Sequence, residues 1–250
     1  MRRNLSTSFR WILAALLCAG GAEIVRADDA PAKASAAAQA PTSTQTSAHV
    51  RFRPQTKDAG SVRVTGGSRG TGESSVTLDV LAPDEVGITT QEQPSLFWYQ
   101  SKPANAKFEL TLLQDNKVKP IVQVQMERSS KAGIQRLKLA DYGAKLTPGV
   151  EYQWVIALVA DPDNRSKDLV ASGVIKRIEP DANLKTKLAS ATPAALAGIY
   201  ADAGIWYDAL SVLSDQIEAA PESQALRQTR ADLLRQVGLN TAASSDLASK

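Results

Sequence analysis

Between Ser75 and Pro180 the chain is a succession of short apolar runs, each closed by turn residues, and past Pro180 the hydrophobic period changes from two residues to about 3.6. The runs are SVTLDVLAP, PSLFWYQ, KFELTLLQD, KPIVQVQMER, GIQRLKLAD, EYQWVIALVAD and VASGVIKRIEP. Val76, Leu78 and Val80 share one face, as do Phe108, Leu110 and Leu112, while Val122, Val124 and Met126 lie opposite Gln123 and Gln125. Successive side chains of a strand point to opposite faces, so this alternation predicts antiparallel sheets wetted on one side. Seven strands over about 100 residues, with turn signals such as QDNK and DPDN between them, predict an all-β immunoglobulin-like sandwich over 75–180. The Cys, Trp, Cys signature of true immunoglobulin domains is absent, so the expectation concerns architecture alone.

In the helical part, Asp181 caps a short helix through Ser190, and Thr192 followed by Pro193 reads as an N-cap with proline at the first helical position. Helices are predicted over about 193–203, 206–219 and 222–237, the last with Leu226, Leu233, Leu234 and Val237 on one stripe. Leu196 to Pro221 resembles one tetratricopeptide repeat, with Leu196, Tyr200, Gly204, Ala209, Leu210, Ile217 and Pro221 at its large, small and breaking positions. A solenoid needs about three repeats to stand alone, so the helical segment 181–239 is expected to dock on the sandwich. The result is α+β overall, with 75–239 as one cooperative body and 240–250 as a disordered tail.

The flanks are of another kind. Arg2, Arg3 and Arg10, the apolar stretch Trp11 to Ala19, and Val25 and Ala27 spaced as a cleavage site predict a signal peptide over 1–27 and a mature chain starting at Asp28. The apolar run is about half of the roughly 20 residues that span a bilayer, so no membrane span is expected. A rival reading lipidates Cys18, but Leu17 stands where such sites want a small residue. Cleavage removes Arg2, Arg3, Arg10, Arg26 and Glu23, turning 29 basic and 26 acidic residues into 25 of each. The mature chain is then neutral, the pI near 8.9 of the whole sequence notwithstanding, and offers no general basic field to nucleic acid. It also keeps no cysteine, so its core alone must hold it together. Residues 28–74 read as a disordered tether: Ala, Pro, Ser, Thr and Gln up to about Ser47, then a basic half with Arg51, Arg53, Lys57, Arg63 and Arg69.

TTQEQPSLFWY at 89–99, TPGVEYQW at 147–154, DPDNRS at 161–166 and AGIWYDAL at 203–210 together resemble a bacterial, largely cyanobacterial, exported family catalogued as domain of unknown function nine hundred and twenty-eight. The resemblance covers about Gly66 to Leu239 and implies no catalytic residue. It also implies a cysteine pair after the Gly-rich RG segment and before the DP turn. Here those places hold Gly-Thr-Gly and Ala160, so the pair is lost.

His49, the single histidine, lies in the tether, which leaves Ser-His-Asp, Cys-His and histidine-ligated metal chemistry without their parts. Asp161, Asp163 and Asn164 open like a calcium loop, but Arg165 and Lys167 stand at ligand places and Ser172 where a closing glutamate belongs, so a turn is expected. GGSRGTG lacks the Gly-Lys-Ser/Thr of a phosphate loop and reads as a flexible loop. Catalytic, metal and cofactor sites are all assigned as none. Phe97, Trp98 and Tyr99 are consecutive, so at least one must leave the main core of a sandwich. Together with Trp206 and Tyr207 they are the residues singled out, either for packing between the two segments or for a binding patch. The expected function is an exported, periplasmic or extracellular, non-enzymatic protein that engages another envelope or secretion protein. A module for cell-wall polymer (carbohydrate) is the alternative, and a carboxylate-dependent hydrolase the third reading.

Overall fold

The structure, a computed structural model, describes residues 50–55, 61–66, 68–69, 76–104, 106–114, 117–127 and 131–249. The expected signal peptide and the first part of the tether lie outside the described residues, as does most of GGSRGTG. The fold is α+β. Its strands are β1 (Ser68–Arg69), β2 (Val76–Val80), β3 (Gly87–Thr89), β4 (Ser95–Gln100), β5 (Lys107–Gln114), β6 (Val122–Met126), β7 (Gly133–Lys138), β8 (Glu151–Val159) and β9 (Leu169–Arg177). Five helices follow: α1 (Ala182–Ser190), α2 (Pro193–Asp202), α3 (Trp206–Ala219), α4 (Gln224–Arg235) and α5 (Asn240–Ala248). None of these is long and apolar enough to cross a membrane, among the described residues.

The seven apolar runs each supply one strand, β2 and β4 to β9. They form a four-stranded sheet in the order β1-β2-β4-β7 and a five-stranded sheet in the order β3-β9-β8-β5-β6. The expectation of purely antiparallel sheets is corrected at one edge, where β3 runs parallel to β9 with Ile88 opposite Lys176. Three residues, GIT, are too few to announce a strand by alternation. Long-range pairing makes this one.

Both sheets contribute to one hydrophobic core, where Trp98 of β4 lies 6.2 Å from Phe108 of β5, ring centre to ring centre. Along β5 the alternation is plain: Phe108, Leu110 and Leu112 are buried, and Glu109 and Thr111 are not. In β4, by contrast, all six residues are buried. A strand can do that only if something covers its second face, and here the helices do, with α3 packed against β4.

Two expectations about the flanks fail. The 240–250 tail is ordered as α5: Gly238, at φ 77°, ends α4, and Ala242 and Ala243 are buried. The polar composition of α5 hides its anchor, a buried pair in which Arg230 Nε donates to Asp246 Oδ2 at 2.8 Å. Nor is the basic half of the tether free. Val50 is buried, and Phe52 sets its ring edge-on at 5.0 Å from Trp206. The Arg53 amide donates to the Ala201 carbonyl at 3.0 Å, and Gln55 Nε2 to that of Ala203 at 2.8 Å. Farther on, Val64 bridges Ser172, and Arg63 donates to the Ala82 carbonyl at 2.9 Å while pairing with Asp84. The apolar Val50 and Phe52 have found surface to cover, and Arg53 and Arg63 have found acidic partners in Asp202 and Asp84.

Candidate functional site

The site is built where the helical unit meets the sheets. Gly204 sits at φ 74° between α2 and α3, and a Cβ there would come within 2.5 Å of the Arg53 carbonyl oxygen, so only glycine suits that corner. The chain leaves it into Trp206 and Tyr207, both fully buried. The Trp206 indole N–H donates to the Leu81 carbonyl at 2.9 Å. The Tyr207 hydroxyl accepts from Trp154 Nε1 at 2.9 Å and donates to the Val174 carbonyl at 3.2 Å. Burial pushes the Tyr207 phenol far above its ordinary pKa. One residue on, the buried Asp208 carboxylate accepts from the Thr89 hydroxyl at 2.5 Å, from the Thr90 amide at 3.0 Å and from the Thr90 hydroxyl. Desolvation raises its pKa, and these donors, with Gln91, pull against the rise.

Beside Asp208 opens a polar cleft of about 370 Å³, with Gln91, Gln93, Tyr200, Arg136, Lys138 and Asp215 among its walls. Arg136 lies 5.3 Å over the Phe97 ring. Its guanidinium donates to Ser95 Oγ at 2.9 Å and Ser211 Oγ at 3.0 Å, and pairs with Asp215 and with Glu218. Every side of that cation is therefore engaged, and three donors fill most of the roughly four lone-pair sites of the Asp208 carboxylate. Arg136 and Asp208 thus fasten β3, β4 and β7 to α3.

A second concavity, a groove of about 800 Å³, lies between α1 and α2. Ile178, Leu184, Ile199 and Ile205 form its apolar floor, part of a small cluster separate from the main core. Glu179, Asp181, Asp202 and Lys187 also line it, with Glu179 paired to Arg177, Asp202 paired to Arg53 and Asp181 accepting from the Leu184 amide. Gly198 of α2 also lines it, and a Cβ added there would meet nothing within 4 Å.

All five aromatic residues singled out by sequence are buried, at 0–4 % exposure. They belong to the one core, but their ring contacts run to third parties: Trp98 to Phe108, Trp206 to Phe52 and Phe97 to the Arg136 cation. At the DPDN turn Asp161 Oδ1 accepts from the Asp163 amide at 3.1 Å. No group of three His, Cys, Asp or Glu side chains that could hold a metal occurs among the described residues. Sequence reasoning missed Asp208, Thr89, Thr90, Arg136 and the groove. The signal for three of them was present, because Thr89 and Thr90 open one of the four family-like segments and Asp208 lies within another, and the structure bonds these segments together.

Fold and seam together define an α+β protein whose helical unit is fastened to its sheets by buried aromatic, threonine and carboxylate groups. The chain belongs to the family described as Domain of Unknown Function (DUF928), whose model matches residues 64–247. No curated protein matches it. Among solved structures, a multi-domain immunophilin from Arabidopsis thaliana aligns at 8% identity over 73% of this chain and 95% of its own, with a TM-score of 0.16.

Proposed function

We propose that this chain is an exported, non-enzymatic interaction module of the cell envelope, an immunoglobulin-like sandwich carrying a tetratricopeptide-like helical unit. Its N-terminal 27 residues are a signal peptide, and it works in the periplasm or outside the cell, bound to another envelope or secretion protein. The observation that carries this reading is the groove between α1 and α2. Its volume and its isoleucine and leucine floor suit a segment of a protein partner with apolar side chains, while the carboxylates that line it are held by this chain's own Arg177, Arg53 and Leu184 amide. Burial of Phe97, Trp98, Tyr99, Trp206 and Tyr207 takes those rings away from any sugar-stacking platform, which weighs against the polymer-binding alternative. The three donors that hold the buried Asp208 weigh against a carboxylate-dependent hydrolase built on it.

The test uses Gly198, which lines the groove and where an added Cβ meets nothing within 4 Å, so that a large side chain there should obstruct it. The wild type, Gly198→Ala and Gly198→Trp are immobilised and exposed to envelope extract, and in parallel to isolated cell wall. One dominant protein held by the wild type and by Gly198→Ala, and lost with Gly198→Trp, supports the reading. Equal retention of all three on cell wall, with no protein captured, transfers the function to the polymer alternative.

A further inference from the structure

Three of the four sheet edges are short or covered. β1 has two residues. α5 packs against β7, and α3 against β3, which it fastens through Asp208. β6 differs from all of these. It is the last strand of the five-stranded sheet, and its residues Val122, Gln123, Val124, Gln125 and Met126 carry no charge. Sheet edges are ordinarily protected by lysine, proline, a bulge or a covering element, because the outward row of amide and carbonyl groups is a template for another strand. Within β6 there is no lysine or proline, no further strand pairs with it among the described residues, and Val124 and Met126 stay only half-covered although they pack on the core. Beside them Ile121 is 42% exposed and Val118 97%.

The order of side chains in β6 is self-complementary. Placed antiparallel to a second copy about a two-fold axis through Val124, Val122 falls opposite Met126, Val124 opposite itself, Gln123 opposite Gln125 and Ile121 opposite Glu127. The apolar row then meets an apolar row on the core face, and amide meets amide on the outer face. At each end the acidic Glu127 of one copy lies toward the end of the other that carries Lys117 and Lys119. No like charges meet within the strand, which is the condition cross-strand pairs must satisfy.

We propose that β6 is the pairing edge of a symmetric dimer, in which two copies of this chain join their five-stranded sheets into one continuous sheet. A junction of two five-residue strands is smaller than the roughly 1,200–2,000 Å² of a stable interface, so the dimer forms with a dissociation constant on the order of micromolar or weaker. It leaves the α1–α2 groove unused and stands or falls separately from the function proposed for that groove.

Sedimentation of the purified chain over rising concentration tests it, with two charge variants as partners. The wild type is expected to pass from monomer to dimer. Gln123→Lys/Gln125→Lys sets lysine against lysine on the exposed face and should stay monomeric, and so should Gln123→Glu/Gln125→Glu. Mixing the two should restore a dimer, because each lysine then faces a glutamate, and that rescue cannot come from a variant that has merely unfolded. A wild type still monomeric at about millimolar concentration would overturn the proposal, as would dimers of the lysine variant as strong as the wild type's or a mixture that stays monomeric.

Discussion

Helices α3 and α1 belong to the same helical unit, yet α3 buries Trp206, Tyr207, Asp208, Ala209, Leu210, Leu213, Ser214 and Ile217, whereas α1 buries Leu184 alone. The difference lies in what each meets. α3 faces the second side of β4 and the end of β3, and its polar tips find fixed partners there, the Leu81 and Val174 carbonyls and the threonines 89 and 90. α1 meets a small satellite cluster and leaves a groove beside it. A short helical unit needs a host surface to be stable, but only one of its sides has to be given up to the host. The remaining side stays available for a partner.

The strongest way to break this comparison is Trp206→Ala. It removes an indole that is 0% exposed, its bond to the Leu81 carbonyl and its packing on Phe52. The expected cost is about 3–5 kcal/mol, the range for large aromatic truncations, and a fall in Tm on the order of 10 °C. Tryptophan fluorescence and far-UV dichroism should report the same single transition. Two transitions in the wild type, or an unchanged midpoint in the variant, would mean that α3 is not part of the sheets' cooperative unit.

A smaller effect sharpens the electrostatic part of the seam. Asp208→Ala strands the Thr90 amide and costs about 1–3 kcal/mol, while Asp208→Asn keeps an acceptor and costs less. The two differ from the wild type in pH dependence as well. Desolvation holds the Asp208 carboxyl above its ordinary value in the folded state, so the folded chain keeps that proton more tightly than the unfolded one. This group therefore favours the fold most at or below about pH 4, and its burial costs stability progressively as pH rises to the folded value, beyond which the cost is complete. Urea midpoints between pH 4 and 7 should show the wild type losing ground to Asp208→Asn as pH rises. A wild type that gains ground instead would mean that the threonine donors outweigh desolvation.

Much of this architecture was legible in the sequence because local rules carried it. Period two placed β2 and β4 to β9, and the Asp181 cap is visible as a bond from the Leu184 amide at 2.7 Å. What escaped depends on partners far along the chain. β3 exists through its parallel pairing with β9, α5 through Asp246 on Arg230, and the Val50–Gln55 segment through Trp206, Ala201 and Gln236. None of these has enough apolar residues of its own to announce order. The site divides the same way. Consecutive aromatics declared that at least one ring must leave the main core, for packing against the helices or for a binding patch, but nothing in the run GIQRLKLAD marks Arg136 as the cation that would reach across to Asp215 and Glu218.

The smallest expected effect tests the open side of the helical unit. Gly198 occupies the interior of α2, where glycine is the poorest ordinary residue because the unfolded chain gives up the most freedom to form the helix. A Cβ added at this position, which lines the groove, meets nothing within 4 Å. Gly198→Ala should thus stabilise the chain by about 0.5–1 kcal/mol and raise Tm by about 1–4 °C. Gly87 makes the opposite case within the same molecule, because a Cβ there would come within 2.5 Å of the Tyr207 ring. Gly87→Ala should accordingly destabilise. If Gly198→Ala also destabilised, the groove would be closed in solution and α1 packed as tightly as α3, which would erase the contrast between the two sides. Differential scanning calorimetry of the two alanine variants beside the wild type reads both signs in one experiment.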